Sequence, residues 1–249
     1  MPRYARKKSS TGIYHVILRG INREKIFGDT NDYKKFIRIL KENKAISEFV
    51  LYGYCLMNNH VHLLMRKGNE DLGQAIKRIG IRYAKWFNFR YTRSGHLFQD
   101  RYKSEPVEDD TYFFVALRYI HRNPIKAGLC KSFDEYIWSS YGDYTRGGGV
   151  TDTDFAIRFM GKQEFISFMY DDIADNCLEY NETNKKLTDD ELVAKIENMF
   201  RIDALTIRNE PQEKTKQILN DIFNIGGVSI RQISRITWIS EYMILKLIS

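Results

Sequence analysis

A chain of 249 residues that is 43% hydrophobic can bury a sizeable core, and its length suits one domain of common size plus a smaller one. No apolar run approaches the roughly 20 residues that a membrane span needs, and the basic N-terminal segment lacks the apolar core of a secretion signal, so a cytoplasmic protein with no membrane partner is expected. The formal charge of +7 is uneven: residues 1–150 carry 27 Lys and Arg against 15 Asp and Glu, whereas the remainder carries 12 against 17.

A basic region in a chain that is 14% aromatic suits a polyanion that also offers flat bases, because Lys and Arg meet phosphates while Tyr, Phe and Trp stack on unpaired bases. The plainer alternative is that these cations only solubilise helix faces. Cys55, Cys130 and Cys177 are odd in number and widely spaced, which suggests reduced, partly buried thiols rather than a zinc or redox pair.

Residues 13–19 read as a first strand, followed by a loop at Gly20 and Asn22 and a helix over about 31–43 that places Tyr33, Phe36, Ile37 and Leu40 on one stripe. Residues 48–56 and 60–66 read as a hairpin joined near Asn58 and Asn59. A long helix is expected over 71–90, with Leu72, Ile76, Ile79, Tyr83, Trp86 and Phe87 at helical spacing. A strand near 102–107 then leads into a helix over 109–123, which should stop before Pro124 because the residue preceding proline disfavours the α conformation. The order strand, helix, strand, strand, helix, strand, helix predicts an α+β fold, a ferredoxin-like sandwich with an antiparallel sheet.

Gly147, Gly148 and Gly149 mark the expected end of this domain at residue 146. An acidic connector is expected over 147–186, with the polar run Asn181-Glu-Thr-Asn184 partly flexible. A small all-α module follows over 187–249. Thr188-Asp-Asp-Glu191 has the form of a helix start, and two short helices separated by residues 237–240 suggest a helix-turn-helix with Ile233, Ile236, Ile239 and Leu245 in its core. Its helix over 241–248 would then read duplex DNA; the competing reading is a helical bundle used for docking or dimerisation.

His60 and His62 are the strongest chemical signal. Side chains two apart on a strand leave the same face, so both imidazoles can reach one ion while Val61 points the other way. Tyr119 and Asn123, four apart on a helix, likewise share a face. A nucleophile and a third ligand, the Asn123 carboxamide oxygen, could therefore meet the histidine pair, and mixed nitrogen and oxygen ligation suits Mg²⁺ or Mn²⁺. Taken singly, Tyr119 could be a core tyrosine beside Tyr112, Phe113 and Leu117, and Asn123 only a helix-ending residue. His15 and His96 are given no ligand role; packing or phosphate contact is expected of them.

From about Gly12 to Tyr144, the blocks Gly12-Ile-Tyr-His-Val, Arg19-Gly-Ile-Asn-Arg23, Met57-Asn-Asn-His-Val-His62, Gly95-His-Leu-Phe-Gln99, Arg101-Tyr-Lys-Ser104 and Tyr119-Ile-His-Arg-Asn-Pro-Ile-Lys-Ala-Gly-Leu129 resemble the HUH single-tyrosine transposases, and among them the REP-associated tyrosine transposases. The resemblance implies cleavage and rejoining of single-stranded DNA near a hairpin through a 5′-phosphotyrosine link, with Tyr119 as nucleophile and His60, His62 and Asn123 as ligands of Mg²⁺ or Mn²⁺. Asp100 departs from the pattern at a spot where glycine is common in the resembling proteins, which puts the loop near the substrate in doubt. Arg19, Arg23, Arg101, Lys103 and Lys126 are the expected phosphate contacts. Competing functions are a non-catalytic DNA-binding regulator and a zinc hydrolase, and both a monomer and a homodimer are compatible with the sequence.

Overall fold

The computed structural model describes residues 6–171, 188–224, 228 and 230–248. The chain divides into two compact units, Met1–Leu178 and Glu179–Ser249. Among the described residues no helix is long and apolar enough to cross a membrane.

The first unit is built on a four-stranded antiparallel sheet in the order β2-β3-β1-β4, from β1 (Ile13–Arg19), β2 (Val50–Met57), β3 (His60–Arg66) and β4 (Lys103–Val107). This is the ferredoxin-like order, with α1 (Thr30–Ser47) and α2 (Leu72–Arg90) as its two crossovers. Alternation along the strands sorts their side chains. Val16, Leu18, Val61, Leu63 and Met65 enter one core with Phe36 and Leu40 of α1 and Ile76, Ile79 and Tyr83 of α2.

The opposite face is covered by α3 (Asp110–Lys126), whose Phe113, Ala116, Leu117 and Ile120 form a second core with Tyr52, Cys55, Met57 and Leu64. Each fully buried Leu or Phe there contributes about 1.5–3 kcal/mol relative to exposure. Helix α3 approaches β2 closely at Gly53, where a Cβ would lie 2.6 Å from Leu117 Cδ1.

Several element boundaries differ from the sequence expectation. Helix α1 runs to Ser47 rather than about residue 43, held at its start by an Asp29/Asp32 capping box and stopped at Glu48, which is left-handed. Helix α3 continues past Asn123 with Pro124 inside it and ends at Lys126. Only the last turn follows the proline, where the Ala127 and Leu129 amides close back onto the Asn123 and Pro124 carbonyls.

The first unit also continues past the expected boundary at residue 146. Within the span expected to be a connector, α5 (Asp154–Met160) and α6 (Lys162–Tyr170) follow the short α4 (Tyr141–Arg146), and Ala156, Phe165 and Met169 join the core under α3. The acidic surface residues of this segment masked an amphipathic pattern. The run expected to be flexible, residues 181–184, and Cys177 lie outside the described residues. Of the other cysteines, Cys55 is buried and Cys130 half-buried, both as free thiols.

The second unit contains α7 (Asp189–Phe200), α8 (Gln212–Asn224), α9 (Ile230–Thr237) and α10 (Glu241–Ile248) around Leu192, Ile196, Leu219, Ile222, Ile233 and Ile244. Thr188 and Glu191 form the capping box at its start. Ile233 and Ile236 are buried and Ile239 packs against this core, whereas the Leu245 side chain lies outside the described residues. The turn between α9 and α10 passes through Trp238, left-handed at φ 57° and solvent-exposed.

Candidate active site

β3 carries His60 and His62 on the α3 face of the sheet, with Val61 in the opposite core. Register brings two further strands to the pair: Arg19 lies opposite His60, and Ile17 lies between His62 and Lys103. The two imidazole rings are 4.9 Å apart between centroids. Tyr119 descends from α3 onto this surface, its ring 5.8 Å from that of His62 and 5.8 Å from that of His15. The expected convergence of the histidine pair with the helical tyrosine therefore exists, although Tyr119 is only 4% exposed.

Each histidine of the pair has its Nδ1 engaged. His60 Nδ1 donates to Asn59 Oδ1 at 2.6 Å, and the Asn59 amide is itself oriented by donating from Nδ2 to the Arg23 carbonyl. Since the Asn59 oxygen can only accept, His60 keeps its proton on Nδ1 and a lone pair on Nε2. His62 Nδ1 lies 2.9 Å from His15 Nε2. Burial, reinforced by Arg19, takes the His60 pKa down to about 4; burial, with its two histidine neighbours, holds His62 well below the usual range. Both rings are thus neutral at physiological pH, the form that ligates a cation.

Asn123, one turn after Tyr119, donates from its Nδ2 to the Tyr119 carbonyl at 2.8 Å, which leaves the carboxamide oxygen as its donor atom for a cation. Among the described residues no cluster of three or more His, Cys, Asp or Glu could hold a metal; the donors expected here are two imidazole nitrogens and an amide oxygen. That mixed donor set fits a divalent cation of the Mg²⁺ or Mn²⁺ kind, with coordination positions left over for phosphate oxygens.

The expected phosphate contacts separate into two groups. Arg19 and Lys103 border the histidines; burial and the Arg19 charge both lower the Lys103 pKa. Lys126, on the same helical face as Tyr119 because α3 continues beyond the proline, sets its Nζ 4.8 Å from the centre of the tyrosine ring. Arg23 lines a cavity of about 310 Å³ with Asn58, Asn59, His60 and Ala127. Arg101 is exposed and lies apart from the pair, lining a cavity of about 640 Å³ with Leu18, His96, Phe98 and Tyr102. Asp100 caps the Arg101 amide at 2.7 Å.

Residues 8–123 match the family model described as IS200-like transposase. The matched segment spans the whole sheet, both histidines, Tyr119 and Asn123. This segment is similar to the IS200-like transposases. The proteins it resembles are named as transposases. The chain is 27% identical over 157 residues to a Haemophilus influenzae protein named for the REP-associated tyrosine transposases, covering 57% of this chain and 86% of that relative. A solved structure described as the REP-associated tyrosine transposase bound to a REP hairpin shares the fold, with a TM-score of 0.50 at 20% identity over 61% of this chain and 94% of that one.

Two members of this candidate site were not assigned from the sequence. His15 is fully buried and bonded to His62, not placed for phosphate contact. Asn59 orients His60 from the hairpin turn. The strand period put His15 on the same face as Arg19, but its neighbour on β3 depends on strand register, which no local pattern in β1 encodes.

Proposed function

We propose that this protein is a transposase that cleaves and rejoins single-stranded DNA beside a hairpin, with Tyr119 as nucleophile and His60, His62 and Asn123 holding Mg²⁺ or Mn²⁺. The observation that supports it is the meeting of the Tyr119 ring with both His62 and His15 on the sheet face that also carries His60. The names of the matched relatives point to a hairpin substrate.

In this reaction the Tyr119 oxygen attacks a backbone phosphorus and the bond to the leaving 3′-oxygen breaks, giving a 5′-phosphotyrosine and a free 3′-hydroxyl. Attack by another 3′-hydroxyl reverses the step, so no high-energy cofactor is consumed. A bound dication would offset charge on a phosphate oxygen and orient it for in-line displacement. The buried Tyr119 ring lies 5.8 Å from each of His62 and His15. The Lys126 ammonium over that ring offsets the negative charge of the phenolate when it departs. Arg19 and Lys103 hold the flanking backbone by charge. In the second unit, the α9–α10 pair supports contact with duplex DNA, although Arg231 and Arg235 of α9 are ion-paired with Glu241 and Asp189.

One observation favours the competing reading of a DNA-binding regulator without catalysis: the near-complete burial of Tyr119. Incubating the protein with labelled single strands that carry a hairpin separates the two. The transposase gives a denaturant-resistant protein–DNA adduct that needs Mg²⁺ or Mn²⁺ and is lost in Tyr119→Phe, with hairpin affinity retained. Absence of any adduct from the parent protein, with binding intact, establishes the regulator.

A further inference from the structure

The two candidate ligands are oriented by different chemistry. His60 donates to a carboxamide oxygen, which has no proton to give back. His62 faces a third imidazole, His15, across 2.9 Å, with the two rings inclined by 26°. Only one proton can occupy that contact. If His62 Nδ1 donates to His15 Nε2, the lone pair of His62 sits on Nε2 and can bind a cation. If His15 Nε2 donates instead, the His62 proton moves to its Nε2 and the site has lost a ligand.

His15 is fully buried in the central strand β1, and its own Nδ1 has no hydrogen-bond partner. A ring buried in this way, with one nitrogen unsatisfied, costs stability that an apolar residue of similar volume would not. The contact to His62 engages its other nitrogen, Nε2. Its position is set by pairing of Ile17 with His62 and of His15 with Leu64, which brings the His15 ring alongside that of His62 from the neighbouring strand.

We propose that His15 is a positioning residue of the cation site, accepting the His62 Nδ1 proton and thereby holding His62 Nε2 as the ligating atom. This rests on the reading of His60 and His62 as ligands. It goes beyond that reading in giving the pair an internal control, a residue that touches neither cation nor DNA and yet decides whether His62 can bind. Because the partner is an imidazole that can also donate, the His62 tautomer depends on the cation, whereas that of His60 does not.

The test uses the full-length protein and Mn²⁺ alone, titrated by the electron paramagnetic resonance signal of the free ion, beside ¹H–¹⁵N correlation of the histidine rings with Mg²⁺. His15→Phe keeps the ring volume and removes the acceptor, and is expected to weaken Mn²⁺ binding by about 10-fold or more; His15→Gln, with an acceptor near the place of Nε2, is expected to restore it to within about threefold of the parent. In the Mg²⁺-saturated parent the His62 proton is expected on Nδ1. A His15→Phe protein that binds Mn²⁺ like the parent overturns the proposal, as does a His62 proton found on Nε2 in the Mg²⁺-saturated parent, a measurement that needs no variant to fold. If the parent itself binds Mn²⁺ no better than His62→Asn, the ligand reading fails and takes the proposal with it. If the parent binds, His62→Asn does not and His15→Phe does, only the proposal falls.

Discussion

His121 and His15 are imidazoles buried on the α3 side of the sheet, and their burial has a measurable consequence. His121 is bonded through Nε2 to Ser140 Oγ and ringed by Tyr141, Tyr144 and Phe165. Desolvation takes the pKa of each from 6.5 down to about 3. The folded protein therefore binds fewer protons than the unfolded chain at mildly acidic pH. The stability contributed by the neutral rings is complete above pH 6.5 and is lost as the pH falls from 6.5 toward 3. Each ring removes about 1.4 kcal/mol per pH unit across that window. The urea midpoint of the parent is expected to fall steadily from pH 7 to pH 5, and the His121→Gln protein to show a shallower slope; identical slopes would mean that His121 is not buried as a neutral ring.

Elements, rather than single residues, decide where Tyr119 lies. Helix α3 meets β2 at an irregularity in the β2/β3 pairing between Leu51 and Gly53, and the missing side chain of Gly53 admits Leu117. Gly53→Ala is expected to force Leu117 and the helix outward, costing about 1–3 kcal/mol of stability. Its thermal midpoint should fall and adduct formation through Tyr119 with it; an unchanged midpoint would show that Leu117 alone gives way. The last turn of the same helix, beyond Pro124, carries Lys126 to the tyrosine ring. The proline rule ends the helix at Asn123 and so misses this placement, because it weighs the local steric preference of the residue before proline and no tertiary contact. In the folded chain Pro124 is buried and the closing turn is retained by packing.

On the scale of the whole molecule, charge is segregated between the parts of the chain. The excess of Lys and Arg over Asp and Glu lies in residues 1–150, and the remainder carries an acidic excess. Association with single-stranded DNA is accordingly expected to weaken with salt through the first unit. If Arg101 is one of the phosphate contacts proposed from the sequence, Arg101→Gln should lower the slope of log affinity against log salt by about 0.7. Equal slopes for parent and variant, read by fluorescence anisotropy between low and moderate salt, would remove Arg101 from the interface. Arg101 is the discriminating choice because it lies in the loop before β4, apart from the histidine pair.

Local order was legible in the residues themselves. The period of two in β3 put His60 and His62 on one face, the period of 3.6 in α3 put Tyr119 and Asn123 on another, and the sequence of strands and helices sufficed for a ferredoxin-like sheet. These properties depend on near neighbours in the chain, so composition and spacing determine them. Which face α3 covers, how far it extends past Pro124, and that α5 and α6 join its core depend on contacts between distant segments. His15 is the sharpest case. Its neighbour is 47 residues away, and a one-residue slip between β1 and β3 would turn it to the opposite core, so only the paired sheet could bring the third imidazole to the second.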